Sequence, residues 1–422
     1  MKERLCDFAC LGGHPAFPSP VVLGAPVIPD RDRFFRRVES VLDRRQLTNG
    51  GPMLREFESR LCGYLGVRNV VAVCNGTMAL QIMAKAAGLT GEVIVPAFTF
   101  IATAHALSWI GLTPVFADVD EGTHTLDPDS VERCISPRTS AILGVHLWGN
   151  VCDVGQLQRL ADRHHLKLLF DASQAFGSGR DGRSVGGFGC AEAFSFHATK
   201  VMHCFEGGAI TTNDDVLAEA CRLQRNFGFA GFTDIRCCGI NGKLDEISAA
   251  AGITNLEAVD QVLENNGLKF QHLRRVLNGI PGLTVLQGRS SSEWNAQYAV
   301  LKIDGDQFGL SRDHLLQVLR AEGVFARSYY VPGCHRAPPY DVNPGHCPVD
   351  LPITEDLLQN VIQLPTGPAI ELRQIDLIGD LLRAIHGNRN ELHSVLTTSG
   401  SRSVYHALDP AKPAMIVRSE AA

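Results

Sequence analysis

The sequence predicts an α/β fold, with a large domain built on a mostly parallel seven-stranded sheet and a smaller α+β domain after it. Between residues 69 and 212, short apolar runs rich in β-branched residues alternate with longer amphipathic stretches, which is the pattern of βαβ units. Most of these runs are apolar throughout, as expected for strands buried on both faces. The 422 residues, 45% of them hydrophobic and 20% charged, suffice for two domains with buried cores.

Seven apolar runs are the predicted strands, and amphipathic stretches between them are predicted helices. The runs span residues 69–73, 92–95, 114–119, 141–145, 166–170, 191–196 and 209–211. Met53, Phe57, Leu61 and Leu65 share one face at helical spacing, which predicts a helix before the first strand. A second amphipathic helix is predicted over residues 153–164, between the fourth and fifth strands.

The chain is predicted to divide into four parts. They are an N-terminal segment at 1–48, a large domain at 49–260, a small domain at 261–386 and a loose tail at 387–422. The boundary near residue 260 precedes a long helix at 262–277 and a turn rich in Gly, Pro and Ser at 279–292. The small domain is predicted to hold a strand at 297–303, a helix at 311–322, irregular chain at 329–352 and a last helix at 371–385. The tail lacks hydrophobic periodicity and is therefore predicted to be unstructured.

Composition excludes several classes of protein. With 39 basic and 45 acidic residues the formal charge is −6, which argues against a nucleic-acid partner. No run of about 18 apolar residues predicts a membrane span, and residues 1–17 lack the apolar core of a signal peptide. Thirteen Cys without a CxxC pair indicate reduced thiols and give little support to a zinc site, so we expect a cytoplasmic protein without a metal.

The first predicted strand ends in a candidate phosphate site. Asn75, Gly76 and Thr77 follow it directly, and a helical stretch begins with them. Ligands of open parallel sheets bind beyond the carboxyl ends of the strands, and a helix N-terminus favours anions. An N-cap with a tight turn would explain the same three residues, so this motif alone decides little.

A carboxylate follows the fifth predicted strand. Asp171 comes directly after the apolar run at 166–170. A buried carboxylate needs a cation or several hydrogen-bond donors, because burial otherwise favours its neutral form. A protonated pyridine nitrogen would supply such a cation, and an Asp that caps a following helix is the alternative.

A lysine follows the sixth strand in a stretch with few charges. Lys200 is one of only eight lysines among the 39 basic residues, and it lies between an apolar run and the Gly207-Gly208 pair. Desolvation there would lower the pKa of its amine and make it available as a nucleophile for Schiff-base formation. A lysine that extends from a strand end to solvent is the alternative.

These three features together are the handles that pyridoxal 5'-phosphate requires, namely a phosphate cradle, an acid for the ring nitrogen and an amine. With these features in this order, the sequence resembles the DegT/DnrJ/StrS family of sugar aminotransferases over roughly residues 40–385. The motifs that carry the resemblance are Asn75-Gly76-Thr77, Pro96-Ala97-Phe98-Thr99-Phe100, Asp118-Val119-Asp120, His146-Leu147-Trp148-Gly149, Asp171-Ala172-Ser173-Gln174, Ser195-Phe196-His197-Ala198-Thr199-Lys200 and Glu206-Gly207-Gly208. The resemblance implies the fold of type I pyridoxal-phosphate enzymes, which is similar to that of aspartate aminotransferase.

The resemblance also implies roles around the cofactor ring. Lys200 would form the imine with the cofactor aldehyde and later move the substrate proton. Asp171 would pair with the pyridinium nitrogen, and Gln174 would lie near the ring oxygen O3'. Phe100 matches the aromatic residue that stacks on the ring in this family, although a role in the hydrophobic core is the alternative.

The resemblance also implies which residues bind the phosphate and that the protein is a dimer. Gly76, Thr77 and Ser195 would hold the phosphate. Asn241 matches a phosphate ligand that reaches across from the second subunit, so the resemblance implies a homodimer with a shared active site. The chain departs from the commoner pattern just after it, with Gly242 and Lys243 where an aromatic residue and Arg are frequent.

Five residues resemble the family's contacts to the sugar nucleotide, and they are His197, Arg327, Tyr329, Tyr330 and His335. The guanidinium fork of an arginine suits a diphosphate, because it bonds two oxygens at once. His197 has an alternative role in supporting the strand end. For His146 we favour a hydrogen-bonded position in the core over a catalytic role.

The resemblance implies a transaminase that moves an amino group from L-glutamate to a keto-sugar linked to a nucleoside diphosphate. The motifs look most like those of enzymes that aminate C4 of a dTDP-4-keto-6-deoxyhexose. A 3-keto-sugar, a keto-cyclitol or an aminohydroxybenzoate precursor would fit the same catalytic residues. A non-catalytic regulator or partner subunit of the same fold is the alternative from another class.

Overall fold

The computed structural model describes residues 2, 4–288, 293–342 and 344–398, and these residues form two layered α/β units joined by a long helix. The helices are α1 Arg31–Arg44, α2 Pro52–Leu65, α3 Gly76–Ala86, α4 Ala102–Trp109, α5 Pro128–Cys134, α6 Val154–His164, α7 Asp215–Arg225, α8 Glu246–Leu256, α9 Val259–Leu277, α10 Gly305–Phe308, α11 Arg312–Ala321, α12 Pro352–Asn360, α13 Leu372–Gly387 and α14 Arg389–Thr398. The strands are β1 Asn69–Val73, β2 Glu92–Pro96, β3 Thr113–Ala117, β4 Thr139–Val145, β5 Lys167–Asp171, β6 Ala191–Ser195, β7 Gly208–Thr212, β8 Leu283–Val285, β9 Ala299–Ile303, β10 Arg327–Ser328 and β11 Val361–Leu364. Short 3₁₀ turns lie at Leu5–Asp7, Ala9–Leu11, Leu147–Gly149, Cys334–Arg336 and Pro344–His346, and a small hairpin pairs Gly179–Arg180 with Arg183–Ser184.

The large sheet has seven strands in the order β1-β7-β6-β5-β4-β2-β3. The pairs β2/β3, β2/β4, β4/β5 and β5/β6 are parallel, whereas β7 runs antiparallel to both of its neighbours. Every residue of β1, β2 and β7 is buried, because helices cover both faces. The seven predicted strands are the seven strands of this sheet, so the predicted fold class is confirmed.

Each face of the large sheet has its own apolar core. On one face α2, α6 and α8 pack together with the strands, and Phe57, Leu61 and Leu157 are fully buried there. On the other face α3, α4 and α7 bury residues such as Met83 and Leu107. The predicted helices before β1 and between β4 and β5 are α2 and α6, and their apolar stripes face the sheet as expected.

The small domain is an antiparallel four-stranded sheet in the order β8-β9-β11-β10, covered by α9, α11 and α13. Helix α9 joins the two domains, because Val259 packs in the large-domain core while Leu273 and Leu277 pack in the small-domain core. The predicted boundary at residue 260 therefore falls in the first turn of α9. The stretch predicted to be irregular contains two short 3₁₀ turns.

The N-terminal segment spans both domains instead of forming a part of its own. Phe8, Phe17 and Val21 pack in the small-domain core. The fully buried Glu322 at the end of α11 holds this chain, since its carboxylate accepts hydrogen bonds from the backbone N–H of Ala9 (2.7 Å) and Ala16 (2.8 Å). The chain then crosses to the large domain, where α1 packs against α8. These contacts join residues that are distant in sequence, so they left no local pattern.

The predicted loose tail begins later than residue 387. Residues Arg389–Thr398 form α14, and the fully buried Leu392 packs into the small-domain core beside the partly buried Leu396. Two leucines at helical spacing are too few to show a periodicity in the sequence. Their packing against the small-domain core is nevertheless enough to stabilise the helix. Residues 399–422 of the predicted tail lie outside the described residues. Across the described ranges no helix combines the length and apolar character needed to cross a bilayer.

Candidate active site

A pocket of about 380 Å³ lies at the carboxyl ends of the parallel strands, where the two domains meet. Its wall includes residues that follow β1, β2, β4, β5 and β6, together with residues of the small domain and of the N-terminal segment. Of the thirteen residues predicted for the site, all except Asn241 and His335 line this pocket. Strand topology brings together the residues from Gly76 to Lys200, and docking of the small domain adds those from Arg327 to Tyr330.

The N-terminus of α3 forms one side of the pocket. Asn75 caps the helix, since its side-chain oxygen accepts a hydrogen bond from the N–H of Met78 (2.8 Å). Gly76 lies against Ser195, and a Cβ on Gly76 would be only 2.8 Å from the Ser195 Cβ. The capping role and the predicted phosphate cradle therefore coexist, because the helix N-terminus, the Thr77 side chain and the Ser195 hydroxyl face one concave surface.

Asp171 is 5% exposed at the end of β5, and each of its carboxylate oxygens accepts one hydrogen bond. One carboxylate oxygen accepts a hydrogen bond from the Thr103 hydroxyl (2.9 Å), and the other accepts one from the N–H of Ser173 (3.0 Å). The Thr103 hydroxyl lies in turn 3.3 Å from that of Thr99. After Asp171 the chain forms turns up to the small hairpin, so the helix-capping alternative does not hold. The carboxylate is anchored and faces a cavity that can take a cation.

Lys200 lies on the turn that follows β6 and is partly buried in the same pocket. Burial lowers the pKa of its amine below the usual value, and the negative charge of Asp171 opposes that effect. Within the described residues, no carboxylate forms an ion pair with Lys200. Its amine therefore lies in the field of Asp171 without being tied to an acid, which suits a nucleophile better than a surface lysine.

Gln174 and Phe100 lie on the side of the pocket next to the small domain. The side-chain oxygen of Gln174 accepts a hydrogen bond from the N–H of Trp148 (2.8 Å), and its nitrogen donates to the hydroxyl of Tyr330 (2.8 Å). Phe100 is 56% exposed, with its ring centre 6.5 Å from that of Tyr330. This exposure excludes the core alternative for Phe100 and leaves its ring available to a ligand.

His197, Arg327 and Tyr329 line the more open part of the pocket. The Nδ1 atom of His197 lies 2.9 Å from the Thr199 hydroxyl, and Nε2 lies 3.6 Å from a carboxylate oxygen of Glu206. Arg327 on β10 is exposed, so its guanidinium is free to meet an anion. These polar groups come from both domains, as a ligand with several polar parts would require.

Two predicted residues lie outside the pocket of their own chain. The Nε2 atom of His335 lies 2.8 Å from Glu355, which holds the ring within the small domain. Asn241 is exposed and forms an isolated bridge with Asn226 at the base of an irregular loop. Neither position contributes to the walls formed by this protomer, so their predicted roles remain predictions.

His146 has the core position that the sequence favoured. Its ring is fully buried and stacks on Phe170, with ring centres 4.5 Å apart. Its Nδ1 accepts a hydrogen bond from the N–H of Cys152 (3.2 Å), and its Nε2 lies 3.2 Å from the buried Glu192. The histidine supports the end of β4 behind the pocket, and it does not line the pocket.

Sequence reasoning missed several residues that shape the pocket. Thr103 lies on α4 and anchors Asp171. The spacing Thr99-x-x-x-Thr103 at the start of a helix indicates that the two hydroxyls share one face. Gln297 and Tyr298 line the pocket from the small domain, and Leu23 and Gly24 line it from the N-terminal segment. Nothing local in the sequence indicated these four, because only the docking of the domains places them there.

The fold and the pocket define a type I aminotransferase, in which a parallel sheet presents an amine, an acid and an anion cradle at one edge. Residues 29–383 match the DegT/DnrJ/EryC1/StrS aminotransferase family, and the chain belongs to that family. It is a pyridoxal-phosphate-dependent aminotransferase of the sugar-nucleotide type, as the sequence predicted.

Individual relatives are similar over most of their length. DesI, solved in the presence of its TDP-sugar product, is 47% identical, with a TM-score of 0.90 over 93% of this chain and 100% of DesI. The dTDP-4-amino-4,6-dideoxy-D-glucose transaminase of Shigella dysenteriae is 37% identical over 313 residues, or 74% of this chain and 85% of its own. The dTDP-3-amino-3,4,6-trideoxy-alpha-D-glucose transaminase of Streptomyces venezuelae is 35% identical over 338 residues, or 78% of this chain and 86% of its own.

The pocket fits the cofactor of the family. Gly76 lets the N-terminus of α3 lie directly against Ser195, since a Cβ there would be 2.8 Å from the Ser195 Cβ, and both residues line the pocket, where a helix N-terminus suits a phosphate group. Asp171 is buried with donors on both oxygens and still faces the cavity, which suits a positively charged ring nitrogen. Lys200 offers an amine whose pKa is lowered by burial. The phosphate site, the acid and the amine belong to one cavity, and together they match the groups that bind pyridoxal 5'-phosphate.

Proposed function

We propose that this enzyme transfers an amino group from L-glutamate to C4 of dTDP-4-keto-6-deoxyglucose, in cytoplasmic amino-deoxysugar biosynthesis. The observation that carries the proposal is the convergence of Gly76, Asp171 and Lys200 on one pocket of a chain that is 47% identical to DesI. The Shigella relative acts on the corresponding 4-amino sugar, which supports amination at C4.

Six residues of this chain would hold the cofactor. Gly76, Thr77 and Ser195 would bind its phosphate, and Phe100 would pack on its ring, in keeping with the 56% exposure of the phenyl group. Asp171 and Gln174 would bind the ring nitrogen and the ring oxygen. When bound, the cofactor supplies a carbonyl that accepts an amine and a ring that withdraws electrons from the substrate carbon.

Lys200 would move the proton in each half-reaction. Its Nζ atom would take the proton from the substrate carbon and return it at the other end of the reacting system. Because burial lowers the pKa of this amine, more of it is neutral and able to accept a proton at a given pH than for an ordinary lysine. Asp171 would hold the positive charge on the ring nitrogen, and Thr103 would keep its carboxylate in place.

The open part of the pocket would bind the sugar nucleotide. Arg327 would bond the diphosphate with two N–H groups, which is the geometry that a guanidinium offers to phosphate oxygens. Tyr329 and His197 would contact the sugar, and His197 carries a neighbouring carboxylate at Glu206 that can orient its ring. His335 does not line the pocket and would act on the sugar nucleotide only at a distance, through the loop that its contact with Glu355 holds in place.

We also propose a homodimer in which Asn241 binds the phosphate of the partner's cofactor. The loop that ends at Asn241 exposes apolar side chains, with Phe232 fully exposed, Ile235 63% exposed and Ile240 40% exposed. We take these three exposed side chains on one loop as a cluster that a protein–protein contact would cover. The exposed Asn241 lies next to that cluster, so a second subunit seated there would receive its amide.

The proposed reaction is tested with a panel of keto-sugar nucleotides and L-glutamate, with the position of the product amine read by NMR. We expect dTDP-4-keto-6-deoxyglucose to react fastest and to give a 4-amino product. Lys200→Ala is the inactive control. A panel in which only 3-keto-sugars or keto-cyclitols react would overturn the assignment of C4.

A 3-keto-sugar is the second candidate, because the Streptomyces relative that makes a 3-amino sugar is 35% identical. A non-catalytic regulator or partner subunit is the candidate from another class. It would bind no cofactor or give no product with any member of the panel. The intact Lys200 and Asp171 argue against it, since a regulator has no chemical need for an amine and an acid in this pocket.

The shared site is tested by mixing two inactive variants. Asn241→Ala should weaken cofactor retention in every site of its own homodimer, while Lys200→Ala removes the amine. In a mixed dimer one of the two sites keeps both residues if Asn241 acts across the interface. Recovery of activity on mixing is therefore expected. Mixtures as impaired as the parents would place Asn241 in the site of its own subunit, and an Asn241→Ala homodimer with normal activity would place it outside the site.

A further inference from the structure

A hydrogen bond between the two domains holds the amide of Gln174 in the pocket. Gln174 follows β5 in the large domain, and Tyr330 follows β10 in the small domain. The Gln174 side-chain nitrogen donates to the Tyr330 hydroxyl at 2.8 Å. Both residues line the pocket, so this bond lies where the cofactor ring is proposed to bind.

The orientation of the amide follows from its second bond. The backbone N–H of Trp148 donates to the Gln174 oxygen at 2.8 Å, so the nitrogen must lie on the side of Tyr330. A primary amide nitrogen carries two hydrogens, and one of them is used by Tyr330. The other hydrogen is left for a pocket ligand that accepts a hydrogen bond.

Tyr330 is itself held firmly. Its side chain is 8% exposed, and its ring stacks on Trp148 with centres 5.3 Å apart and planes at 16°. Phe98 packs against it in a T-shaped arrangement, with ring centres 5.3 Å apart. Burial raises the pKa of the Tyr330 phenol well above its usual value, so the hydroxyl stays neutral at working pH. A buried aromatic ring packed on two others is poorly placed to follow a sugar substrate, but well placed to fix an amide.

We propose that Tyr330 is a positioning residue that acts through Gln174, and not a direct contact to the sugar nucleotide. The inference rests on the proposed function, in which Gln174 donates to the ring oxygen of the cofactor. Tyr330 and Trp148 hold the two ends of the amide, so that its free N–H points at this oxygen. Because Tyr330 belongs to the small domain, the amide is fixed only while the two domains are docked around the pocket.

The test uses the holoenzyme and the pH midpoint of the visible absorption of the bound cofactor. Tyr330→Phe removes the hydroxyl and keeps the ring that packs on Trp148. A ring oxygen that loses a well-aligned donor keeps more negative charge and holds the proton at the Lys200 nitrogen more tightly. We expect the midpoint to rise by roughly one pH unit, the shift that corresponds to one ordinary hydrogen bond.

A double-mutant cycle separates action through Gln174 from other effects. Gln174→Ala should raise the midpoint at least as much as Tyr330→Phe, and the double variant should match Gln174→Ala alone. Tyr340→Phe is the matched control, since the buried Tyr340 hydroxyl lies 2.9 Å from that of Ser108 and its residue does not line the pocket. It should leave the midpoint unchanged.

Two outcomes would overturn the positioning role while leaving the proposed function intact. Shifts that add in the double variant would show that Tyr330 acts independently of Gln174. An unchanged midpoint with a higher KM for the sugar nucleotide would make Tyr330 a substrate contact. Failure of the cofactor assignment, the part of the proposed function on which this inference rests, would be seen differently, because the parent enzyme itself would then lack the visible absorption that responds to L-glutamate.

Discussion

The two walls of the pocket are built in different ways. The large-domain wall consists of the ends of neighbouring strands, so Gly76, Asp171 and Lys200 are placed by a sheet that is buried on both faces. The small-domain wall includes the two-residue strand β10 and the irregular chain after it, which carry Arg327 and Tyr330, together with Gln297 and Tyr298. Most residues proposed to bind the cofactor lie on the large-domain wall, and most of the proposed contacts to the sugar nucleotide lie on the small-domain wall.

The attachment of the small-domain wall shows a role for Asp118, the first residue of a motif to which the sequence assigns none. Asp118, at the end of β3, accepts hydrogen bonds from the N–H of Thr354 (2.8 Å), the Thr354 hydroxyl (2.7 Å) and the N–H of Ile353 (3.0 Å). These donors belong to the first turn of α12, so a large-domain carboxylate caps a small-domain helix. Asp118 is 5% exposed and docks the second wall without lining the pocket.

Loss of the reacting group on the first wall should have the largest effect. Lys200→Ala should lower the rate of transamination roughly 10⁴-fold, the upper range for one acid–base group. Thermal stability should hardly change, because Lys200 forms no ion pair with the described residues. Turnover is measured with L-glutamate and the best keto-sugar nucleotide.

Lys302→Ala is the control for the loss of a lysine, since Lys302 pairs with Glu121 (2.9 Å) and Asp356 (2.7 Å) away from the pocket. It should keep nearly full activity. Undiminished turnover by Lys200→Ala without added amines would refute the assignment and remove the main contrast between the walls.

A substitution on the second wall should affect only one half-reaction. Arg327→Gln removes a charge-assisted contact to the diphosphate, so we expect the KM for the sugar nucleotide to rise by about 10- to 100-fold. Conversion of the bound cofactor by L-glutamate alone should keep its rate. Arg336→Gln is the matched control, because Arg336 pairs with Glu355 and does not line the pocket. A slower glutamate half-reaction in Arg327→Gln would contradict the division of labour between the walls.

Two threonines offer a direct comparison between catalysis and docking. Thr103 and Thr354 each donate a hydroxyl hydrogen to a buried carboxylate, at 2.9 Å to Asp171 and at 2.7 Å to Asp118. Replacement of either by Val should cost about 1.5–3 kcal/mol of stability, as for a hydrogen bond to a charged group. Only Thr103→Val should slow turnover, by roughly tenfold, since it alone loosens Asp171, the acid proposed to bind the ring nitrogen of the cofactor.

Unfolding midpoints and steady-state rates are measured for Thr103→Val and Thr354→Val. Equal loss of stability with unequal loss of activity is the expected result. Similar slowing in both variants would mean that docking of the small domain limits turnover as strongly as the position of Asp171 does.

The smallest effect is expected at a charge cluster remote from both walls. Burial favours the neutral acid of Glu257, but hydrogen bonds from Arg37, Arg33 and Arg60 outweigh it and lower its pKa to about 2, below the ordinary value of 4.5. A lowered pKa means that the folded state binds fewer protons than the unfolded state between these values. The cluster therefore stabilises the fold above about pH 4.5, and this contribution is lost as the pH falls toward 2.

Glu257→Gln should thus make the acid side of the stability profile shallower, by up to about 1 kcal/mol because the pairs are partly exposed. Turnover at neutral pH should remain that of the parent. The profile is measured by chemical unfolding at a series of pH values. A profile that coincided with that of the parent below pH 4.5 would show that the three arginines do not act through Glu257.

Prediction from the sequence succeeded where a local pattern and its structural role coincide. The strand 69–73 was predicted with its exact ends, and the other six strands of the sheet were found within a few residues, because long apolar runs between helices have few other uses. Residues placed by those strand ends, such as Asp171 and Ser195, consequently lie in the pocket as expected. The helix α14 was missed, because its two leucines gain their significance only from the core that they join.

The sequence by itself determined the fold class, the family and the cofactor side of the pocket, since strand ends of a parallel sheet meet at one edge whatever surrounds them. Only the tertiary structure decided which groups hold those residues and which partners complete the other wall. Thr103 on Asp171, Tyr330 on Gln174 and the N-terminal Leu23 in the pocket are contacts between segments distant in sequence. Such contacts depend on how the elements pack in three dimensions, and packing leaves no periodic signal along the chain.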